Sequence, residues 1–198
     1  MRGSASTRTR LKQQSLGRVL DAAARRIREE GLSGAAIAPV MSDAGLTHGA
    51  FYAHFDSKGE LEAAAFSHAI TVGRSRWVPS RRRGRWDLRI KNIANRYLTV
   101  GHRDDLADSC GFPALVSEAA HASAQFRAAY ERELSRSLDA ICGEDSADAA
   151  RREDALTLMI ICVGGLSLSR AVRDEAFSAQ ILRAARRAAA RLANSTAP

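Results

Sequence analysis

The chain has 198 residues, of which 45% are hydrophobic, 26% charged and 6% aromatic, with only four Pro and 14 Gly. Such a mixture excludes a disordered, linker-rich or collagen-like chain, and the length fits one ordinary domain or a small and a medium one sharing a core. Lys and Arg total 30 against 22 acids, a net charge of +8, which favours a polyanionic partner.

Residues 1–14 contain Arg2, Arg8, Arg10 and Lys12 but no acid, and read as a basic flexible arm. Leu16, Val19, Leu20, Ala23 and Ile27 then recur at helical steps until Gly31 stops the helix. Two short helices follow at 36–44 and 47–55, separated by Gly45-Leu46. A longer helix begins at Ser57, where Ser-Lys-Gly-Glu matches a capping box, and runs to about Arg76. The stretch 79–85 reads as an exposed loop, with Arg81, Arg82, Arg83 and Arg85 facing solvent. Further helices are predicted at 86–101, 113–123, 125–142, 149–172 and 175–193, with coil around Gly111-Phe112-Pro113 and a disordered tail at 194–198.

No alternating strand pattern or hairpin turn interrupts this series, so the fold class is all-α. Charge divides the chain: residues 1–18 carry a net +5, whereas 103–154 hold six basic and twelve acidic residues, a net of −6. The most apolar segment, 155–168, is shorter than a spanning helix needs, and no apolar run follows the start. A soluble cytoplasmic protein without a membrane partner is therefore expected. Cys110, Cys142 and Cys162 have no metal-ligand spacing and no CxxC, which fits a reducing compartment, no metal and no cofactor.

The chemically informative stretch is 31–61. Two short helices joined by a tight Gly-containing turn form a helix-turn-helix. Gly45 supplies the positive φ of the turn, Leu46 plugs it, and Thr47 is placed to cap the second helix. Phe51 and Phe55 share a face turned toward Leu20, Ala24 and Ile27. The other face carries His48, Gly49, Ala50, Tyr52, Ala53 and His54. Small residues there admit close approach, and the polar ones reach past them, as reading base edges in the major groove requires. Lys58, beside free amides at a helix start, suits a phosphate. Taken singly, these histidines read as surface residues and Tyr52 as packing; only their common register points to DNA.

The run Gly45-Leu46-Thr47-His48-Gly49-Ala50-Phe51-Tyr52-Ala53-His54-Phe55, with Ser57-Lys58 and Leu61, resembles the DNA-binding domain of the tetracycline-repressor (TetR) family over residues 15–62. The resemblance implies a three-helix N-terminal helix-turn-helix domain and, over 63–193, a helical ligand-binding and dimerisation domain. It makes Thr47, His48, Gly49 and Ala50 the groove-facing start of the recognition helix, and Tyr52, His54 and Lys58 phosphate contacts. Four positions depart from the family pattern. Ala35 and Ala36 stand where many members have a capping Thr or Ser, leaving Ser33 or Gly34 to cap; Pro39 lies in the short helix, tolerable only in its first turn; and Gly59 replaces a better helix former.

A reader of this kind works as a two-fold dimer on a palindromic operator. Leu156, Leu158, Met159, Ile160, Ile161, Val163, Leu166 and Leu168 make one helix apolar all round, Gly164-Gly165 allows close approach, and the last helix carries a stripe of Phe177, Ile181, Ala185, Ala188 and Leu192. These predict a four-helix homodimer interface, or a helix central to its own subunit. Ile93, Tyr97, Cys110, Phe112, Phe126 and Tyr130, with Leu115 and Val116, are candidates to line a cavity for a small-molecule effector, plain core being the alternative. Cys110 lies before a helix start that lowers a thiol pKa, although Asp104, Asp105 and Asp108 act against it. The reading is a ligand-released DNA-binding regulator, a repressor. The alternatives are a helical small-molecule-binding protein or a thiol-based sensor acting through Cys110. No nucleophile–base pair, metal set or phosphate loop suggests an enzyme.

Overall fold

The computed structural model describes residues 3–79 and 85–195, with side chains from Thr7 onward. Arg81, Arg82 and Arg83 of the arginine run, and most of the expected tail, lie outside the described residues. Helix α1 spans Gly3–Glu30, so the stretch expected as a flexible arm is helical from Gly3 and continuous with the helix that carries Leu16 to Ile27. Nothing between Thr7 and Gln14 breaks a helix: no Pro or Gly occurs there. Val19, Ala23 and Ile27 are buried, as their spacing predicts. Gly31, at φ +72°, ends the helix in the left-handed region, and a 3₁₀ turn Gly31–Ala35 follows.

Helix α2 is Ile37–Asp43. Ala36 is its cap residue and makes no side-chain cap bond; Ser33 instead donates to the Glu30 carbonyl. Pro39 falls third in the helix, where no amide hydrogen bond is lost. Gly45, at φ +67°, turns the chain, its amide donating to the Ser42 carbonyl and that of Leu46 to Met41. The next element is a tighter 3₁₀ helix, His48–Ala53, rather than an α-helix over 47–55.

Helix α3, Lys58–Trp77, starts as the sequence specifies: the Ser57 hydroxyl accepts from the Glu60 amide, and the Glu60 carboxylate reaches back to the Asp56 amide at 2.7 Å. It packs against α1 on one side and α7 on the other. The second block contains α4 (Trp86–Tyr97), α5 (Val100–Asp104), α6 (Gly111–Ala119), α7 (Ala124–Cys142), α8 (Ala149–Ala171) and α9 (Glu175–Ser195). The single helix expected over 86–101 is thus broken after Tyr97. The break is made by side chains: Thr99 caps α5 through the His102 amide, and the His102 ring binds the Tyr97 carbonyl at 2.7 Å. The coil expected at Gly111-Phe112-Pro113 is instead the first turn of α6, where Pro has no amide bond to lose.

Among the described residues there is no strand. Helices α8 and α9 form the most extensive helix pair, and α4 packs across α9. Helix α8 is long and apolar enough to cross a membrane by length and composition alone. One side of it, including Leu158, Cys162 and Leu166, is packed inside the chain.

Candidate nucleic-acid interface and the cavity beside it

Phe51 is fully buried and Phe55 nearly so, their ring centroids 5.6 Å apart beneath the turn. With that face anchored, the 3₁₀ helix turns Thr47, His48, Gly49, Tyr52 and Ala53 to solvent. Tyr52 is 64% exposed and stands edge-on to His48 at 6.2 Å. A Cβ added to Gly49 would meet nothing within 4 Å, so the backbone there is open to approach. Thr47 is extended but makes no side-chain cap bond, contrary to the sequence expectation. Ala50 is half-buried and packs on the core.

Lys58 is exposed and pairs with Glu62 at 3.1 Å, a surface contact of small energy that a phosphate can displace. His54 is placed differently from expectation. It is half-buried, its Nε2 lies 3.0 Å from the Ser15 hydroxyl of α1, and its Nδ1 has no partner. Burial, and then the Lys12 charge, hold its pKa below the ordinary histidine value. Four residues of the sequence-derived set, Thr47, His48, Gly49 and Tyr52, thus form one exposed surface; Lys58 is exposed on α3, and His54 faces α1. Arg8, Arg10 and Lys12 extend along exposed α1, and Arg18 approaches the Gly45 turn. Their place is not readable from the sequence, where the apolar periodicity of α1 begins only after Gln14.

Beneath α3 lies a cavity of about 30 Å³, room for one or two water molecules. Four of the six expected lining residues border it: Ile93, Tyr97, Cys110 and Phe112. Phe126 and Tyr130 do not; they join Phe66 in a ring cluster, with Tyr130 stacked on Phe66 at 5.0 Å and Phe126 at 5.3 Å. Leu115 is buried and Val116 exposed. The sequence reading misses the contribution of α3 (Ala69, Ile70, Gly73, Arg74 and Trp77), because these residues read there as part of a connecting helix.

The cavity's one cation is already matched: Arg74 donates to buried Glu133 at 2.6 Å and to Ser137 at 3.2 Å. Cys110 is buried, and burial pushes its thiol pKa up rather than down; Cys162 is pushed up to about 12. The helix start expected to activate Cys110 is outweighed by desolvation, and the structure gives no support to a reactive thiolate. Among the described residues, three buried side-chain polar atoms have no partner: His54 Nδ1, Trp77 Nε1 and Tyr97 OH. Two of these belong to cavity residues.

The segment between α5 and α6 ties the cavity to the N-terminal helices. Arg28, near the end of α1, donates to the Ala107 carbonyl at 2.6 Å, and Arg76 of α3 to the Asp108 carbonyl at 3.0 Å. Two residues further on, the Cys110 amide donates to His102 Nε2 at 3.0 Å. On α6, Glu118 accepts from the Leu32 amide at 2.9 Å, in space left by the missing side chain of Gly31. No group of His, Cys, Asp and Glu able to hold a metal ion occurs among the described residues.

Residues 19–65 match the family described as "Bacterial regulatory proteins, tetR family". A TetR transcriptional regulator from Chloroflexus aurantiacus J-10-FL superposes with a TM-score of 0.72 at 20% identity, covering 95% of this chain and 98% of that one. NemR from E. coli in its reduced form gives 0.70 at 16% identity, covering 88% and 94%. A TetR-family transcriptional regulator from Streptomyces coelicolor gives 0.65 at 20% identity, covering 96% and 95%. No curated protein sequence matches the chain.

Proposed function

We propose that this chain, a TetR-family member with the helix-turn-helix fold of DNA-binding transcriptional regulators, is a repressor that binds a palindromic operator as a homodimer and is released by a small molecule. The observation that carries the reading is the exposed run Thr47, His48, Gly49 and Tyr52, anchored from behind by buried Phe51 and Phe55. Thr47, His48, Gly49 and Ala50 then enter the major groove, and His48 reads a base edge. Tyr52 and Lys58 hold phosphates, while His54, drawn to Ser15, steadies the element against α1. Residues 15–62 are the DNA-binding unit and 63–193 the ligand-binding and dimerisation unit.

Release follows from α3, which carries Lys58 at one end and cavity residues along the other. A ligand shifts DNA affinity only by preferring one arrangement of this helix. Tyr52→Ala and Lys58→Ala are expected to weaken operator and unrelated duplexes alike, and Lys58→Ala to reduce the salt slope by about 1. His48→Ala is expected to cost about 1–3 kcal/mol at the base that it reads and little on unrelated sequence. Equal losses on both duplexes for His48→Ala, measured by fluorescence anisotropy, would remove its base-reading role.

A further inference from the structure

Two features of the cavity beneath α3 do not follow from packing alone. The Tyr97 hydroxyl is buried, on a residue only 3% exposed, yet has no hydrogen-bond partner. Its polar neighbour is the Cys110 thiol, a weak hydrogen-bond acceptor toward which the hydroxyl can turn and which an oxygen acceptor outcompetes. The Trp77 Nε1, which can only donate, is likewise buried and unpartnered, and it faces the open side of Gly73, where an added Cβ would lie 3.9 Å from it. Both residues border the cavity, and their rings stand edge to face at 5.4 Å. Natural interiors pair such donors or leave them for a bound molecule.

Charge narrows what that molecule can be. Arg74 is held by Glu133 and Ser137, and Glu133 also accepts from Arg136 at 2.7 Å, so no cation is left over for a carboxylate ligand. Burial raises the Tyr97 pKa well above the ordinary value, which keeps the hydroxyl a neutral donor. The remaining walls are hydrocarbon and sulfur, including Phe112, Met159 and Cys162, and these suit an aromatic ring. We propose that the cavity takes an uncharged aromatic molecule bearing one hydrogen-bond-accepting oxygen, held by the Tyr97 hydroxyl and the Trp77 indole N–H. This inference rests on the proposed role of the second block in binding an effector.

At about 30 Å³ the cavity is smaller than any such ligand, so occupancy requires side chains to give way. Trp77 and Met159 are both only partly buried, and Trp77 is the last residue of α3. Filling the cavity therefore displaces the end of the helix whose other end carries Lys58. The ligand thus binds a state that the empty protein holds only as a minority, which is the differential affinity that release requires.

The test uses full-length protein with acetophenone, isopropylbenzene and benzoate, three probes of similar size, titrated by calorimetry. Acetophenone is expected to bind at least tenfold more tightly than benzoate. Tyr97→Phe keeps the ring and removes an unsatisfied hydroxyl, so folding is retained; it and Trp77→Phe are each expected to weaken acetophenone about threefold to tenfold, with isopropylbenzene changed less than about twofold. Binding of none of the probes, tighter binding of benzoate, or variants that affect both neutral probes equally would overturn the proposal. A parallel titration of duplex DNA separates this from the broader reading. Specific duplex binding without probe binding removes the ligand class alone, whereas probe binding without duplex preference removes the regulator and leaves the cavity assignment.

Discussion

Gly45 sits at φ +67°, where any other residue except Asn or Asp is strained, and its geometry sets the direction of the exposed 3₁₀ helix. Gly45→Ala is expected to cost about 1–2 kcal/mol and to lower the melting temperature by several degrees in a thermal melt. His102 gives a second residue-level expectation. Its Nε2 accepts from the Cys110 amide, so Nδ1 carries the proton and donates to the Tyr97 carbonyl. Burial lowers its pKa to about 4. The unfolded chain, with a histidine near 6.5, therefore binds an extra proton between those values, and stability present above pH 6.5 is lost as pH falls toward 4. The loss from about pH 7.5 to about pH 5 is about 2 kcal/mol, and His102→Gln should flatten that part of the urea-unfolding profile. At this scale the Ser57 and Glu60 capping box is legible because both partners lie within four residues, whereas the equally local caps at Thr47 and Thr99 are not. His54 is not, because its direction depends on where Ser15, 39 positions away, comes to rest.

Helix α8 shows how neighbouring glycines take different parts. A Cβ at Gly165 would lie 2.6 Å from that of Ala185 on α9, whereas one at Gly164 would meet nothing within 4 Å. Gly165→Ala should therefore destabilise the chain by about 1–3 kcal/mol, and Gly164→Ala should leave it as stable or up to about 1 kcal/mol more so, in urea titrations made in an Ile160→Glu background that keeps the chain monomeric. The sequence marks both as points of close approach, but not which one faces α9, since helical register alone leaves the partner's position open. The break between α4 and α5 is illegible for a related reason. No Gly or Pro marks Leu98; the break comes from the His102 ring and the Thr99 hydroxyl. The Arg28 and Arg76 contacts to residues 107–108 join helices distant in sequence and leave no local pattern.

For the molecule as a whole, Leu156, Ile160, Gly164 and Leu168 form an outward row at four-residue steps on α8, with Ile160 65% and Leu168 61% exposed. Phe177 on α9 is half-exposed as well. The apolar pattern of this helix requires burial on every side, and one chain buries only one side of it. A second copy completes the burial in the homodimer proposed here, so Ile160→Glu is expected to yield a folded monomer in sedimentation equilibrium and to lose operator affinity. The N-terminal unit is the more legible part, because turn, cap and anchoring phenylalanines are all local. In the second block, aromatic spacing does not say which rings pack together: Phe126 and Tyr130 go to the Phe66 cluster and Tyr97 to the cavity. Sequence-specific DNA binding is measured by selecting bound genomic fragments and titrating full-length protein into the enriched duplex and a shuffled one at about 0.15 M salt. A specific operator-binding dimer shows a preference of at least about a thousandfold, with two chains per duplex on half-sites about 34–36 Å apart. Equal, weak binding to both duplexes would contradict specific operator binding.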